Sequence, residues 1–201
     1  MSHHHHHHHR DRYGNPDDHA EYLDRLEGPE RAGWQKPDEV VAALGLRPGD
    51  VAGEVGAGPG YFSLRLARVA SQVLAAEAQP RMLEILRERI EKAGARNVTP
   101  ILALQDDPLF PAASCDVVLI VNTFHHFVEP VAYLRRLARA LRPGGRIVNV
   151  DFHDRELPIG PPPEMKISRE QFLAVAGEAG LRLAQEHGFL PYQYFVVLQV
   201  A

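Results

Sequence analysis

Glu54-Val55-Gly56-Ala57-Gly58-Pro59-Gly60 sets three glycines two residues apart directly behind an acid. Backbone that bare, between a short apolar run and a helical-looking one, suits a ligand that approaches the main chain closely, such as a dinucleotide, a phosphate or an adenosyl sulfonium. The spacing separates these. A dinucleotide fingerprint reads G-x-G-x-x-G and needs its third glycine where this chain has Tyr61. Glu54 would repel a pyrophosphate but suits a ligand bearing an ammonium group. Glu77 follows Gly60 by 17 residues, at the end of the next apolar run, where a carboxylate can accept both hydroxyls of a ribose. Alone, the glycines could merely permit a tight turn, and Glu77 could be a solvated strand-end acid. Together they point to S-adenosylmethionine.

A second group is imidazole. His125 and His126 follow one apolar run, and His153 follows another, just beyond Asp151. A neutral imidazole can take the proton of a hydroxyl or amine as it is methylated, so His125, His126 and His153 are candidate general bases. The plainer reading is that one of the adjacent pair packs beneath the loop and orients it. The same donors could bind zinc, but neighbouring histidines leave the backbone in different directions, and no metal site is expected. Methyl transfer needs little acid–base help, because the sulfonium is already an activated leaving group and the protein mainly aligns the reactants and excludes water.

These residues need a scaffold that collects strand ends. Apolar runs at Val51–Val55, Val73–Ala76, Val98–Leu104, Val117–Val121 and Ile147–Val150 alternate with stretches of helical period. Those stretches are marked by Phe62, Leu66 and Val69; by Leu83, Leu86 and Ile90; and by Val131, Leu134, Ala138 and Leu141, the last closed by Arg142-Pro143-Gly144-Gly145. Continuous apolar strands spaced by helices predict a parallel sheet covered on both faces. Ser168 and Gln171 form a capping box before a helix faced by Phe172, Val175 and Ala179, with Gly180 as its stop. Leu181–Glu186 and Tyr194–Val200 then follow with no helix between them, so they must pair antiparallel, one of them inserted at the sheet edge.

The chain resembles the class I S-adenosylmethionine-dependent methyltransferases from about Gly45 onward, and most closely the small-molecule enzymes of ubiquinone and menaquinone biosynthesis. Glu54–Gly60 resembles the family's D-[ILV]-G-x-G-x-G motif with Glu for Asp. "LAAEAQPRML" resembles its second-strand motif, "PAASCDVVLIVNTFHHF" its fourth, and "LRRLARALRPGGRIVNVDF" its fifth. The resemblance implies an α/β three-layer sandwich with a mostly parallel seven-stranded sheet whose last strands form an antiparallel hairpin. It implies S-adenosylmethionine as cofactor, held by Glu54, Gly56, Ala57, Gly58, Gly60, Glu77, Ala78 and Asn122. The family's adenine-binding acid has no exact match: a gapless count puts Leu104 in its place, and Asp106 is expected to serve, with Asp107 as the alternative. Met82 and Phe62 are expected in the core.

Composition sets the outer limits. Met1–His9 reads as a purification tag and removes seven of the twelve histidines from any metal argument. A formal net charge of −4 offers no basic stripe for nucleic acid. The single cysteine, Cys115, fits a reducing compartment, and the lack of a long apolar run fits a cytoplasmic protein without membrane insertion. Residues 10–36 show no helical period and read as an N-terminal arm or lid; residues 37–201 form the cofactor-binding domain. Trp34, the only tryptophan, is expected either at the pocket beneath such a lid or packed on the sheet edge. The function expected is methyl transfer from S-adenosylmethionine to a small-molecule acceptor. The alternative is a protein of the same shape that binds the cofactor as a subunit or sensor without turnover.

Overall fold

The computed structural model describes residues 19–201; the tag and the first residues of the arm lie outside the described residues. Three short helices open it, α1 (His19–Glu27), α2 (Pro29–Gln35) and α3 (Pro37–Ala43). Next come β1 (Val51–Val55), α4 (Ser63–Leu66), β2 (Gln72–Glu77), α5 (Pro80–Ala93), β3 (Val98–Leu102) and β4 (Cys115–Val121). The chain ends with α6 (Pro130–Ala140), β5 (Leu141–Phe152), α7 (Arg169–Glu178), β6 (Leu181–His187) and β7 (Gln193–Val200). The seven strands lie in the order β3-β2-β1-β4-β5-β7-β6. All neighbours are parallel up to β5, and β7 enters antiparallel between β5 and β6.

Side chains of a strand alternate between faces, and here both faces are apolar. In β4, Val117, Leu119 and Val121 join one core with Leu44, Leu66 and Leu86, whereas Val118 and Ile120 join another with Leu134, Leu137 and Phe172. Helices α3, α4 and α5 therefore cover one face and α6 and α7 the other, which makes three layers. Gly53 of β1 is required by a close approach: a Cβ there would stand 2.9 Å from the Phe110 ring and 3.1 Å from the Cys115 sulfur.

Four details differ from the periodic reading. Helix α4 is a single turn, and Val69 is exposed, with Ala70 taking the buried place. Leu141 starts β5 rather than ending α6, pairing with Cys115 before the register jumps to Arg146 opposite Val117. The residues between them bulge, and Gly144 supplies the φ of +77° that the bulge needs. Strand β3 stops at Leu102, because Leu104 donates its N–H to the Asp107 carbonyl at 2.9 Å and turns the chain. The arm is helical despite its lack of an apolar period, and the side chains α2 buries, Arg31 and Gln35, are polar.

The capping box is present: the Ser168 hydroxyl accepts the Gln171 N–H at 3.1 Å, and the Gln171 side chain accepts the Ser168 N–H at 2.8 Å. Ser168→Ala should lower unfolding free energy by about 1 kcal/mol without altering the fold. Urea denaturation of the two proteins measures it, and an unchanged midpoint would show that the cap contributes nothing.

Candidate functional site

The sheet reverses its order between β1 and β4, so the connections at their carboxyl ends leave in opposite directions and open a cleft. It measures about 390 Å³, within the range of small-molecule sites. The loop after β1 forms its floor. Gly56 and Ala57 donate their N–H groups to the Ala76 carbonyl at 2.9 and 3.0 Å, tying the loop to β2. Gly56, Gly58 and Gly60 have φ of +74°, +55° and +98°, which side chains resist. The three glycines then diverge in role. A Cβ at Gly56 would lie 2.5 Å from the Thr123 hydroxyl, and one at Gly60 would lie 2.9 Å from Leu86. At Gly58 the nearest neighbour is Leu26, 3.9 Å away, so bare backbone faces open space.

Glu77 ends β2 beside this loop. One oxygen of its carboxylate accepts the Gly58 N–H and the other the Gln79 N–H, each at 2.9 Å. Burial pushes its pKa up, and these N–H groups oppose that rise. Glu54 lies deeper, 3 % exposed, accepting the Ser63 hydroxyl at 2.5 Å. Burial raises its pKa to about 8, with the Ser63 hydrogen bond and the Arg31 charge acting the other way. Arg31 itself is buried, with its guanidinium carbon 4.0 Å from the Tyr61 ring centroid. Burial lowers its pKa to about 10, so it remains a cation at neutral pH. Among the described residues the buried Nε of Arg31 and hydroxyl of Tyr61 have no hydrogen-bond partner, so the wall holds unspent polar capacity.

Of the residues named from sequence, Glu54, Gly56, Ala57, Gly58, Glu77, Ala78, Asn122 and His126 line the cleft. Four do not. Gly60 packs beneath the loop against Leu86. Asp106 lies beyond the lining, where the early turn after β3 presents Leu104 and Gln105 instead; its alternative, Asp107, binds the Leu109 N–H at 2.8 Å and pairs with Arg136. His125 is turned inward, with Nδ1 3.0 Å from a carboxylate oxygen of the buried Asp151. His153 lies outside the lining, its backbone N–H given to the Tyr192 carbonyl at 3.0 Å. His126 stands at the cleft mouth, exposed to solvent on one side; desolvation on the other, then the neighbouring His125, lower its pKa to about 4. Met82 and Phe62 are buried as expected and also form part of the wall.

The arm supplies what periodicity missed. Tyr22 and Leu26 of α1 and Arg31 of α2 line the cleft. Trp34 instead packs on the sheet end, its ring 5.7 Å from Phe152 and 6.5 Å from Tyr192. An arginine and a tyrosine in a polar stretch carry no signal that would mark them out. Among the described residues no three His, Cys, Asp or Glu side chains come together as a metal site.

Comparison with known proteins agrees with this geometry. A family model described as a methyltransferase domain matches residues 53–149. The chain is 36% identical to a demethylmenaquinone methyltransferase of Tropheryma whipplei over 121 residues, 60% of this chain and 48% of that protein. It is 29% identical to a 27-O-demethylrifamycin SV methyltransferase of Amycolatopsis mediterranei over 172 residues, 84% of this chain and 63% of that protein. It spans about half the length of the curated relatives that it matches first. A crystal structure of a SAM-dependent methyltransferase from Aquifex aeolicus superposes with a TM-score of 0.85 at 25% identity, covering 90% of this chain and 98% of that one.

Glu54 makes the apoprotein's stability pH-dependent. Its carboxyl has a folded-state pKa of about 8 against an ordinary 4.5, so folding takes up a proton between those values. This contribution is most favourable at low pH and is lost as pH rises toward 8. Glu54→Gln should therefore gain stability relative to the parent between about pH 5 and 8, by an amount on the order of a few kcal/mol. Urea unfolding across that range measures the difference; parallel curves would mean that Glu54 ionises normally.

Proposed function

We propose, from the premise that the chain carries a class I S-adenosylmethionine-dependent methyltransferase domain, that it transfers a methyl group to a small-molecule acceptor. The observation that carries this reading is the Glu77 carboxylate set against the bare backbone of Gly58 at the sheet's reversal point. The chain's residues fit the cofactor. Glu77 keeps acceptor capacity for the two ribose hydroxyls beyond its two backbone bonds. Buried Glu54 suits an ammonium group, whose approach would favour the ionised carboxylate, and the Arg31 cation suits a carboxylate. Ala78, Met82, Leu104 and Gln105 offer apolar surface and one amide for a purine. When bound, S-adenosylmethionine supplies a methyl group already activated on a sulfonium.

The protein's remaining task is alignment and, for a hydroxyl acceptor, removal of a proton. Asp151 accepts from His125 Nδ1–H and holds that imidazole behind the cleft wall, so His125 is suited to fixing the loop that carries His126 rather than to meeting the acceptor. His126, with its pKa pushed down, is neutral at pH 7 and a weak base, suited to contact rather than proton removal. Relatives named as methyltransferases of demethylmenaquinone, of rifamycin and of ubiquinone biosynthesis support a small organic acceptor. The net charge of −4 fits such a substrate better than nucleic acid. No helix among the described residues is long and apolar enough to cross a membrane, and the one cysteine is buried and unpaired; we place the enzyme in the cytoplasm.

The protein should bind S-adenosylhomocysteine at micromolar concentration in a calorimeter, and Glu77→Ala should weaken that binding by roughly 1.5–3 kcal/mol, the scale of hydrogen bonds to a charged group. Heat with a nicotinamide cofactor but none with S-adenosylhomocysteine would overturn the reading. Once a methyl-labelled cofactor has identified an acceptor, His126→Ala should raise the KM for that acceptor about tenfold, the loss of roughly one hydrogen bond, with S-adenosylhomocysteine affinity unchanged. An unchanged KM in this variant would remove His126 from contact with the acceptor.

A further inference from the structure

Three amides join segments far apart in sequence: buried Gln35 at the end of α2, half-buried Asn122 after β4 and buried Gln193 at the start of β7. Gln35 Nε2 donates to Gln193 Oε1 at 2.5 Å, Gln193 Nε2 donates to Asn122 Oδ1, and Asn122 Nδ2 donates to Gln35 Oε1 at 3.1 Å. The result is a closed ring in which each amide gives one N–H and accepts one. Such a ring could run in either sense, because the oxygen and nitrogen of an amide can exchange places. Arg31 removes the ambiguity. Its Nη2 donates to Gln35 Oε1 at 3.3 Å, and a guanidinium can only donate, so that Gln35 atom must be oxygen. Asn122 then has to present its nitrogen to Gln35 and its oxygen to Gln193.

Asn122 and Arg31 both line the cleft, while Gln193 does not. Asn122 also holds a left-handed backbone, φ +57°, which the surroundings must sustain. We infer that Gln193 is a positioning residue for the cofactor site, holding Asn122 directly and Arg31 through Gln35, so that helix α2 is seated by the same ring that shapes the cleft wall. The inference rests on the cofactor reading of that cleft. It goes further by assigning a role to a residue that touches none of it.

The ring's sense makes the test directional. Replacing any one amide by a carboxylate forces one oxygen against another somewhere in the ring. At Gln35 the new charge sits beside the Arg31 cation, which offsets the repulsion; at Gln193 the hydrogen-bond partners among the described residues are the amides of Gln35 and Asn122. The probe is S-adenosylhomocysteine, titrated by calorimetry into the full chain and into Gln193→Leu, Gln193→Glu and Gln35→Glu, with melting curves for each. Gln193→Leu leaves the Gln35 donor and the Asn122 acceptor unpaired and should raise the dissociation constant about tenfold or more in a protein that still folds. Gln193→Glu should lose more affinity than Gln35→Glu. If Gln193→Leu does not fold, the order of the two acidic variants decides. Parental affinity in Gln193→Leu, equal loss in the two acidic variants, or failure of all three to fold would overturn the inference. Failure of the parent to bind S-adenosylhomocysteine would instead overturn the cofactor reading.

Discussion

The Glu77 carboxylate accepts the N–H groups of Gly58 and Gln79 and so joins the ends of two parallel strands across the loop between them. Parallel pairing in register, Val51 opposite Gln72 through Val55 opposite Ala76, delivers Glu77 to that position. The cleft follows from this junction. Gly58 can expose its backbone because the loop is already satisfied by Glu77 and by the Ala76 carbonyl, and Gly56 can pass beneath Thr123 because it has no side chain.

A cleft built this way buries charge on its own account. Glu54 and Arg31 are both withdrawn from water, and burial shifts the pKa of each toward its neutral form. A ligand carrying an ammonium and a carboxylate complements both and offsets their desolvation. Polar capacity of this kind disfavours a well-packed apolar core but suits recognition of a zwitterion. The arm contributes to the same balance. Tyr22 and Leu26 line the cleft, Leu26 beside Gly58, and Glu27 of α1 pairs with Arg89 of α5 at 3.1 Å, a surface contact worth little beyond registration.

The strand-loop-strand unit was legible in the sequence because its signals are local. Apolar runs mark β1 and β2, the glycines mark the turn, and Glu54 and Glu77 are strand-end acids whose positions follow from the run lengths. The antiparallel pairing of β6 with β7 was legible too, since two strands without a helix between them have to pair that way; which of the two enters beside β5 was not. Nor was orientation. His125 and His126 are adjacent in sequence, yet the 3₁₀ turn Phe124–His126 sends one imidazole to Asp151 and the other to the cleft. Asp106 lies outside the lining because the turn closed by Leu104 and Asp107 carries it away, and no run length predicts that turn. Gln35 and Gln193 lie 158 residues apart, and nothing in either neighbourhood announces a buried amide. Polar residues buried for their partners have no period to betray them.

The central claim is that the Gly56–Gly58 backbone and Glu77 hold an adenosyl ligand with its sulfur directed toward the Asn122–His126 side. A crystal structure with S-adenosylhomocysteine tests it most directly. The account predicts both ribose hydroxyls on the Glu77 carboxylate, the purine beside Met82 and Leu104, and the amino-acid end between Glu54 and Arg31. A ligand bound outside this cleft, or reversed so that the purine meets Glu54, would contradict it.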